Sequence, residues 1–435
     1  MTSASTDSFA PGGPADGRLR PPECTKPASC RRSSRHGFAV LTAVATLGLL
    51  GAGGLVTSHG AGMAVPDWPN TNGYNMFFFP VSQWVGGVFY EHTHRLAASG
   101  VGLLTVVLVL WLYGRKARPV MRWGGLILLL LGASLAVAVP RPWTDGLVVG
   151  LTGLALFGAS WVWPRCEPSP KWLRWCGLGA VVAVILQGVL GGLRVVLYKD
   201  ALGIFHATLA QVFFVLVCAI ALFTSRWWQT PRARIPSAIN HQLSTLFLLT
   251  TLLILGQLAL GAAMRHQHAG LAIPDFPLAY GRLWPAMDAA SVAHYNAQRM
   301  EITSVNEITA FQIGLQMAHR FVALAILGAV AFAAWSGWRG LGGRHLLSRL
   351  ALGWLGLILT QVLLGAATIW SDKAADIATA HVLVGALALA LGAMMSLITY
   401  REQGFGRRVS DTPGRAPAPS LSMLEPQPSG AAGLR

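Results

Sequence analysis

Charge is scarce in this chain of 435 residues: 11% of positions are charged, against 53% hydrophobic. A soluble domain averages about a quarter charged residues, so a water-surrounded globule is excluded and an integral membrane protein is indicated. Acids are scarcer still, 17 Asp and Glu against 33 Lys and Arg, for a formal net charge of +16. The position of the basic residues argues against a nucleic-acid footprint. They gather in the segment before the first apolar run (Arg18, Arg20, Lys26, Arg31, Arg32, Arg35) and after alternate runs, as at Arg115, Lys116, Arg118 and Arg122, whereas residues 58–88 hold none. By the positive-inside rule both termini and every even-numbered exit face the cytoplasm. Cysteine is nearly absent. Cys24, Cys30, Cys166 and Cys176 fall on the inferred cytoplasmic side and Cys218 lies within an apolar run, so no pair is available for an outer disulfide.

What the chain has in quantity is apolar runs of about 20 residues, the length that spans a bilayer as a helix. About ten are present, near 38–57, 89–112, 123–139, 146–163, 175–194, 202–224, 243–263, 311–335, 351–369 and 377–399. The first 36 residues, rich in Pro, Ser, Gly and Arg, read as a disordered cytoplasmic tail, and residues 403–435 as a second one. Asp7, Asp16 and Glu23 argue against a transit peptide, which is poor in acids.

The chain also repeats itself. Ala61-Gly62-Met63-Ala64-Val65-Pro66-Asp67-Trp68-Pro69 is matched by Ala269-Gly270-Leu271-Ala272-Ile273-Pro274-Asp275-Phe276-Pro277, with six of nine positions identical. In the same order, His94-Arg95 matches His319-Arg320, Gln187 to Gly191 matches Gln361 to Gly365, and His206 matches His381. Self-similarity of this kind precedes any reading of fold. His94 lies 93 residues before Gln187, but His319 lies 42 before Gln361, a difference of about one helical hairpin. The expected fold is therefore an all-α membrane protein of about ten spans: two parallel four-helix bundles, related by an axis along the membrane normal. The first half is 37–225, with an extra hairpin inserted at 123–163; the second is 241–400. The Pro-Asp-Trp-Pro and Pro-Asp-Phe-Pro segments fall on the outer surface as turns at the aromatic belt.

Each copy carries two histidines within about two turns of its outer helix ends: His94 and His206, then His319 and His381. A histidine there is costly without a partner and counts as a site hypothesis. Neutral imidazole is a common metal ligand, and helix bundles build cofactor sites from facing helices. Two histidines on two helices at equal depth make an axial pair for one haem, so the pairs are His94 with His206 and His319 with His381. A closed zinc site wants about four ligands in one tetrahedron, and copper or di-iron wants thiolates or carboxylates, which the spans almost lack. His92 points to another face.

The copies differ chemically. Glu91, three residues before His94, shares its helical face, and the matching residue is Gln316. Glu91 either serves the chemistry of one site or orients the histidine ring. Arg95 and Arg320 either pair with haem propionates or snorkel to the membrane interface. Gln187, Gln257 and Gln361, each in Gln-x-x-Leu-Gly, are expected to bond across helices, the glycine allowing close packing.

At Glu91-x-x-His94-Arg95, His319-Arg320, His206, His381 and the repeated Ala-Gly-x-Ala-x-Pro-Asp-aromatic-Pro loops, the sequence resembles the haem A synthase family of cytochrome oxidase assembly enzymes, over roughly residues 38–399. The resemblance implies oxidation of the C8 methyl group of haem O to a formyl group, giving haem A. It implies that His94 and His206 face the substrate haem, with Glu91 as acid–base or charge-stabilising residue, and that His319 and His381 ligate a resident haem b. It further implies a multi-pass protein of the bacterial inner membrane. The partners it implies are a haem O synthase (farnesyltransferase), oxidase assembly factors and an electron donor. Two features depart from the family: ten spans where eight are typical, and no cysteine pair in the first outer loop. A dihaem b-type electron-transfer protein and a haem carrier remain as alternatives.

Overall fold

The computed structural model describes residues 28–138, 143–230, 235–299 and 307–410, and every regular element among them is helical. The long helices are α1 (Ala28–Ser58), α2 (Gly86–Tyr113), α3 (Ala117–Ala138), α4 (Trp143–Val162), α5 (Lys171–Val196) and α6 (Asp200–Thr224). After the short α7 (Arg226–Gln229) come α8 (Ser237–His266), the ten-residue α9 (Ala289–Gln298), α10 (Ala310–Leu341), α11 (Leu346–Trp370) and α12 (Ala375–Ser410). Among the described residues, nine stretches are long and apolar enough to cross a membrane. One of them, Gly86–Val137, runs 52 residues, far beyond the roughly 20 that a bilayer needs. It breaks at Gly114, whose φ of 54 lies where only glycine sits without strain. A Cβ there would also strike the Cys166 carbonyl oxygen. Taken as two helices, α2 and α3, that stretch brings the number of spans to the ten of the hydropathy reading, and the chain is a multi-pass membrane protein.

Two boundaries differ from expectation. Helix α1 begins at Ala28 rather than after residue 36, because the proline-rich composition stops at Pro27 and nothing in Ala28–His36 breaks a helix. Helix α12 likewise runs on to Ser410, past 403, since the next proline is Pro413. The remainder of both tails lies outside the described residues.

The long helices pack as two rings. In the first, α1 packs on α2, α2 on α5, α5 on α6 and α6 on α1; in the second, α8, α10, α11 and α12 close in the same way. Where the rings meet, α1, α6, α8 and α12 form a seam. Lipid tails are as apolar as leucine, so such contacts depend on close fit and small residues. The seam accordingly buries Ala386 and Ala390 against Phe214, Leu47 and Leu50. The hairpin α3–α4 stands apart. Its two helices touch each other along their length and meet the first half at α2 and through Asn75 Nδ2, which donates to Asp145 Oδ1 of α4 at 2.6 Å. Gly125, Gly132, Gly146 and Gly153 bring the two backbones together, and a Cβ on Gly132 would lie 2.3 Å from the Gly150 nitrogen.

Candidate haem sites

The four repeated histidines sit one on each of α2, α6, α10 and α12. Within its ring, α2 stands across from α6, and α10 across from α12. Each pair of imidazoles therefore lies on diagonal helices. His94 and His206 are close enough to act on each other electrostatically, as are His319 and His381. The other diagonal carries glycines. The Cε1 edge of His94 rests on Gly53 of α1, that of His206 on Gly191 of α5, that of His319 on Gly261 of α8, and that of His381 on Gly365 of α11. A Cβ on any of these four glycines would stand 3.1 to 3.3 Å from the ring, inside the ordinary 3.5–4.0 Å carbon contact. The glycines thus let the Cε1 edge of each ring come up against the neighbouring helix.

The glutamines of the Gln-x-x-Leu-Gly segments act on the same residues. Gln187 Nε2 donates to the His206 carbonyl at 3.0 Å, Gln257 to that of His319 at 2.9 Å, and Gln361 to that of His381 at 2.9 Å. In the stretch matching Gln257, α1 carries Leu49, which has no amide to offer His94. The ring nitrogens are less fully served, His381 Nε2 lying 3.4 Å from Gln361 Nε2. Nδ1 of His94, His319 and His381 is buried without a hydrogen-bond partner, which is costly unless something else binds the imidazole. His206 Nδ1 lies 3.2 Å from the Gln187 carbonyl oxygen, a contact that, with Nδ1 protonated, leaves the Nε2 lone pair free to bind.

Glu91 and Gln316 face the outer loops. Glu91 is buried; its Oε2 accepts from Val65 N–H at 2.9 Å and its Oε1 from Arg95 Nη2 at 2.8 Å. Gln316 Oε1 accepts from Ile273 N–H at 2.7 Å, so the two residues hold matching points of the repeated loops. Arg95 donates to the carbonyls of Asp67, Asn70 and Val65, and Arg320 to those of Leu278 and Asp275. Each loop closes on its aspartate. Asp67 accepts from the Asn72 and Gly73 amides, and Asp275 from those of Tyr280 and Gly281. Positive φ at Asn72, Gly73, Tyr280 and Gly281 marks the same tight turn in both. Asn72-Gly73 is the standard sequence signal for such a turn. The Pro-Asp-aromatic-Pro segments are thus structural turns pinned over the helix ends.

His92 turns away from His94. It is fully buried between Phe79 and Trp84, its Nδ1 3.1 Å from Thr71 Oγ1. Among the described residues, no group of three or more His, Cys, Asp and Glu side chains gathers as a metal cluster. Two axial imidazoles with buried, unpartnered nitrogens suit a haem, which brings its own four equatorial nitrogens, better than a bare ion.

A family model described as a cytochrome oxidase assembly protein, COX15-CtaA, matches residues 143–393, more than half of the chain. The chain belongs to that family. This is the haem A synthase family that the motifs resemble, and it gives the protein a role in cytochrome oxidase assembly. The match takes in His206, His319, His381 and their glutamines; Glu91, His94 and Arg95 precede it. No curated protein matches the chain.

Sequence reasoning read the glycines of the Gln-x-x-Leu-Gly segments only as close helix packing and missed that they, with Gly53, back the histidine rings. Three of them end the Gln-x-x-Leu-Gly segments, and Gly53 shares Gly261's place in the repeat, so the signal was present. It also missed Arg194 and Arg265, which have no basic counterparts in the opposite copy.

Proposed function

We propose that this assembly protein is a haem A synthase, oxidising the C8 methyl group of haem O to a formyl group for cytochrome oxidase. The observation that supports it most is the pair of diagonal imidazole sites, each with glycine-backed rings and buried unpartnered nitrogens, in a chain of this family. On this reading residues 37–225 form the substrate half and 241–400 the half with a resident haem b. His94 and His206 hold the substrate haem, and His319 and His381 the haem b, which supplies one-electron chemistry when bound. Gln187, Gln257 and Gln361 fix the backbone of three of the four ligands.

Glu91 is the residue that separates the halves chemically. Held by Val65 N–H and Arg95, its carboxylate keeps a fixed place beside the helix face of His94, and there it moves a proton or stabilises charge. Gln316 keeps the loop bond without the charge. Arg95 and Arg320 serve the haems by pinning the loops that cover the helix ends and exclude water. The protein sits in a bacterial inner membrane with both termini cytoplasmic. Its partners are a haem O synthase, oxidase assembly factors and an electron donor. Incubation of the purified protein with haem O and a reductant tests the reading. Formyl haem in the extract supports it; bound haem that is never converted leaves an electron-transfer protein, and rapid exchange without reduction leaves a carrier.

A further inference from the structure

Arg95 and Arg320 are taken up by loop carbonyls, yet a second set of cations lies where the rings meet. Arg194, in the last turn of α5, packs its guanidinium on Gly62, and a Cβ there would lie 2.8 Å from both Nη atoms. Arg265, in the last turn of α8, crosses the seam to donate to Gly54 O at 2.7 Å and to Ser58 Oγ. Gly54 is the neighbour of Gly53, which backs His94, and packs against Thr379, two residues before His381. Lys373 stands in the turn between α11 and α12. Burial, with the Arg265 charge second, pushes its ammonium below the ordinary lysine range. The acid facing this group is Asp200, about half exposed, 3.7 Å from Arg194 Nη2 and 4.0 Å from His266 Nδ1. A cation in the last turn of a helix is favoured by the helix dipole. That accounts for an exposed arginine, but not for Arg194 Nε, which, like Arg320 Nε, is buried without a hydrogen-bond partner.

We propose that Arg194, Arg265 and Lys373 form a carboxylate site at the outer end of the seam, binding the propionates of the porphyrins held by the histidines. The assignment rests on the haem reading above. Arg194 stands one helical turn beyond Gly191, which backs His206, and Arg265 bonds the carbonyl of Gly54, which lies between Gly53 under His94 and Thr379 on the helix of His381, so the cations stand beside both rings. Arg265 also acts on Arg194 and Lys373, so an anion entering at either ring relieves a shared repulsion. Charge-assisted bonds to a carboxylate are about twice as strong as neutral ones, and these cations stand in a low-dielectric layer.

The test compares haem b with its dimethyl ester, which keeps iron and ring and lacks the carboxylates, on full-length protein purified from haem-starved cells. The wild-type chain is expected to bind the acid roughly tenfold or more tighter than the ester, as fits loss of hydrogen bonds to charged groups. In Arg265→Gln/Lys373→Met the ratio should fall toward one, with the low-spin absorption retained at saturating haem, while Arg344→Gln, exposed before α11, keeps the wild-type ratio. Wild-type protein that binds acid and ester alike overturns this assignment alone, without need of any variant. Protein that binds neither overturns the haem reading and this one with it. Loss of co-purifying phosphatidylglycerol in the double variant, with the acid-to-ester ratio intact, would give the site to lipid phosphate and overturn it too.

Discussion

Gly365→Ala isolates what the glycines under the histidines do. The added Cβ would stand 3.2 Å from His381 Cε1, several tenths of an ångström inside ordinary carbon contact. The ring has little room to yield, because Gln361 holds the His381 carbonyl at 2.9 Å from the same helix. Overpacking of this kind costs about 1–3 kcal/mol. Alanine in place of a helical glycine returns up to about 1 kcal/mol, but that gain is shared by the haem-free and haem-bound chains. Haem affinity therefore feels the packing alone and should fall roughly tenfold to a hundredfold, at 1.4 kcal/mol per factor of ten. The control is Gly356→Ala on the same helix, where a Cβ meets nothing within 4 Å. Haem per polypeptide and the reduced low-spin band should change in Gly365→Ala and stay unchanged in Gly356→Ala. Equal haem content and identical spectra in the two variants would refute the idea that this glycine positions an iron ligand.

His319→Ala should lose the resident haem, seen as a missing low-spin band in purified protein, while the helical circular dichroism is kept; a full band would remove His319 from the ligands. Glu91→Gln gives the first copy the amide that the second has at Gln316. It should keep the bond to Val65 N–H and the bound haem, yet lower formyl-haem formation by about a hundredfold, the usual scale of acid–base assistance. Unchanged turnover would leave Glu91 as a loop anchor. Gly132→Leu forces α3 off α4, where a Cβ already meets the Gly150 nitrogen at 2.3 Å. Because the hairpin meets the first half mainly at α2 and the Asn75–Asp145 bond, proteolysis within the hairpin should rise while haem content holds; loss of haem would show that the hairpin supports the site.

The spans were legible because the bilayer enforces them: a crossing helix must satisfy its own backbone, and about 20 apolar residues with basic flanks follow from that. The histidines were legible for the opposite reason, being polar groups where polar groups are costly. What surrounds them was not. Glycine is frequent in membrane helices, so the repeated Gly53, Gly191, Gly261 and Gly365 signal close packing, but which ring each one backs is not legible until the helix beside it is known. The same holds for Arg194 and Arg265, whose partners, Asp200 on α6 and Gly54 on α1, come from other helices, and which comparison of the copies passes over. For Arg95 and Arg320 the sequence left propionates and membrane interface open and did not foresee the loop carbonyls they bond; a loop carbonyl has no sequence signature. His92 was separated from His94 correctly, since two positions along a helix turn a side chain to another face.

A duplicated scaffold exposes its chemistry through its mismatches. Ring-backing glycines, loop-pinning arginines and turn-closing aspartates occur in both copies, so they serve geometry that both haems would need. Besides Arg194 and Arg265, two exceptions gather on one histidine. His94 alone has Leu49 where its counterpart His319 has Gln257, and alone has a carboxylate, Glu91, where the other copy has Gln316. On the proposed reading, a ring that must admit haem O and release haem A gains from a ligand held by one bond fewer, whereas a resident haem gains from two histidines whose carbonyls are both fixed. Leu49→Gln is then expected to slow porphyrin exchange in the first ring several-fold without touching the second. An exchange rate for haem O equal to that of the wild type would break the link between the missing amide and turnover.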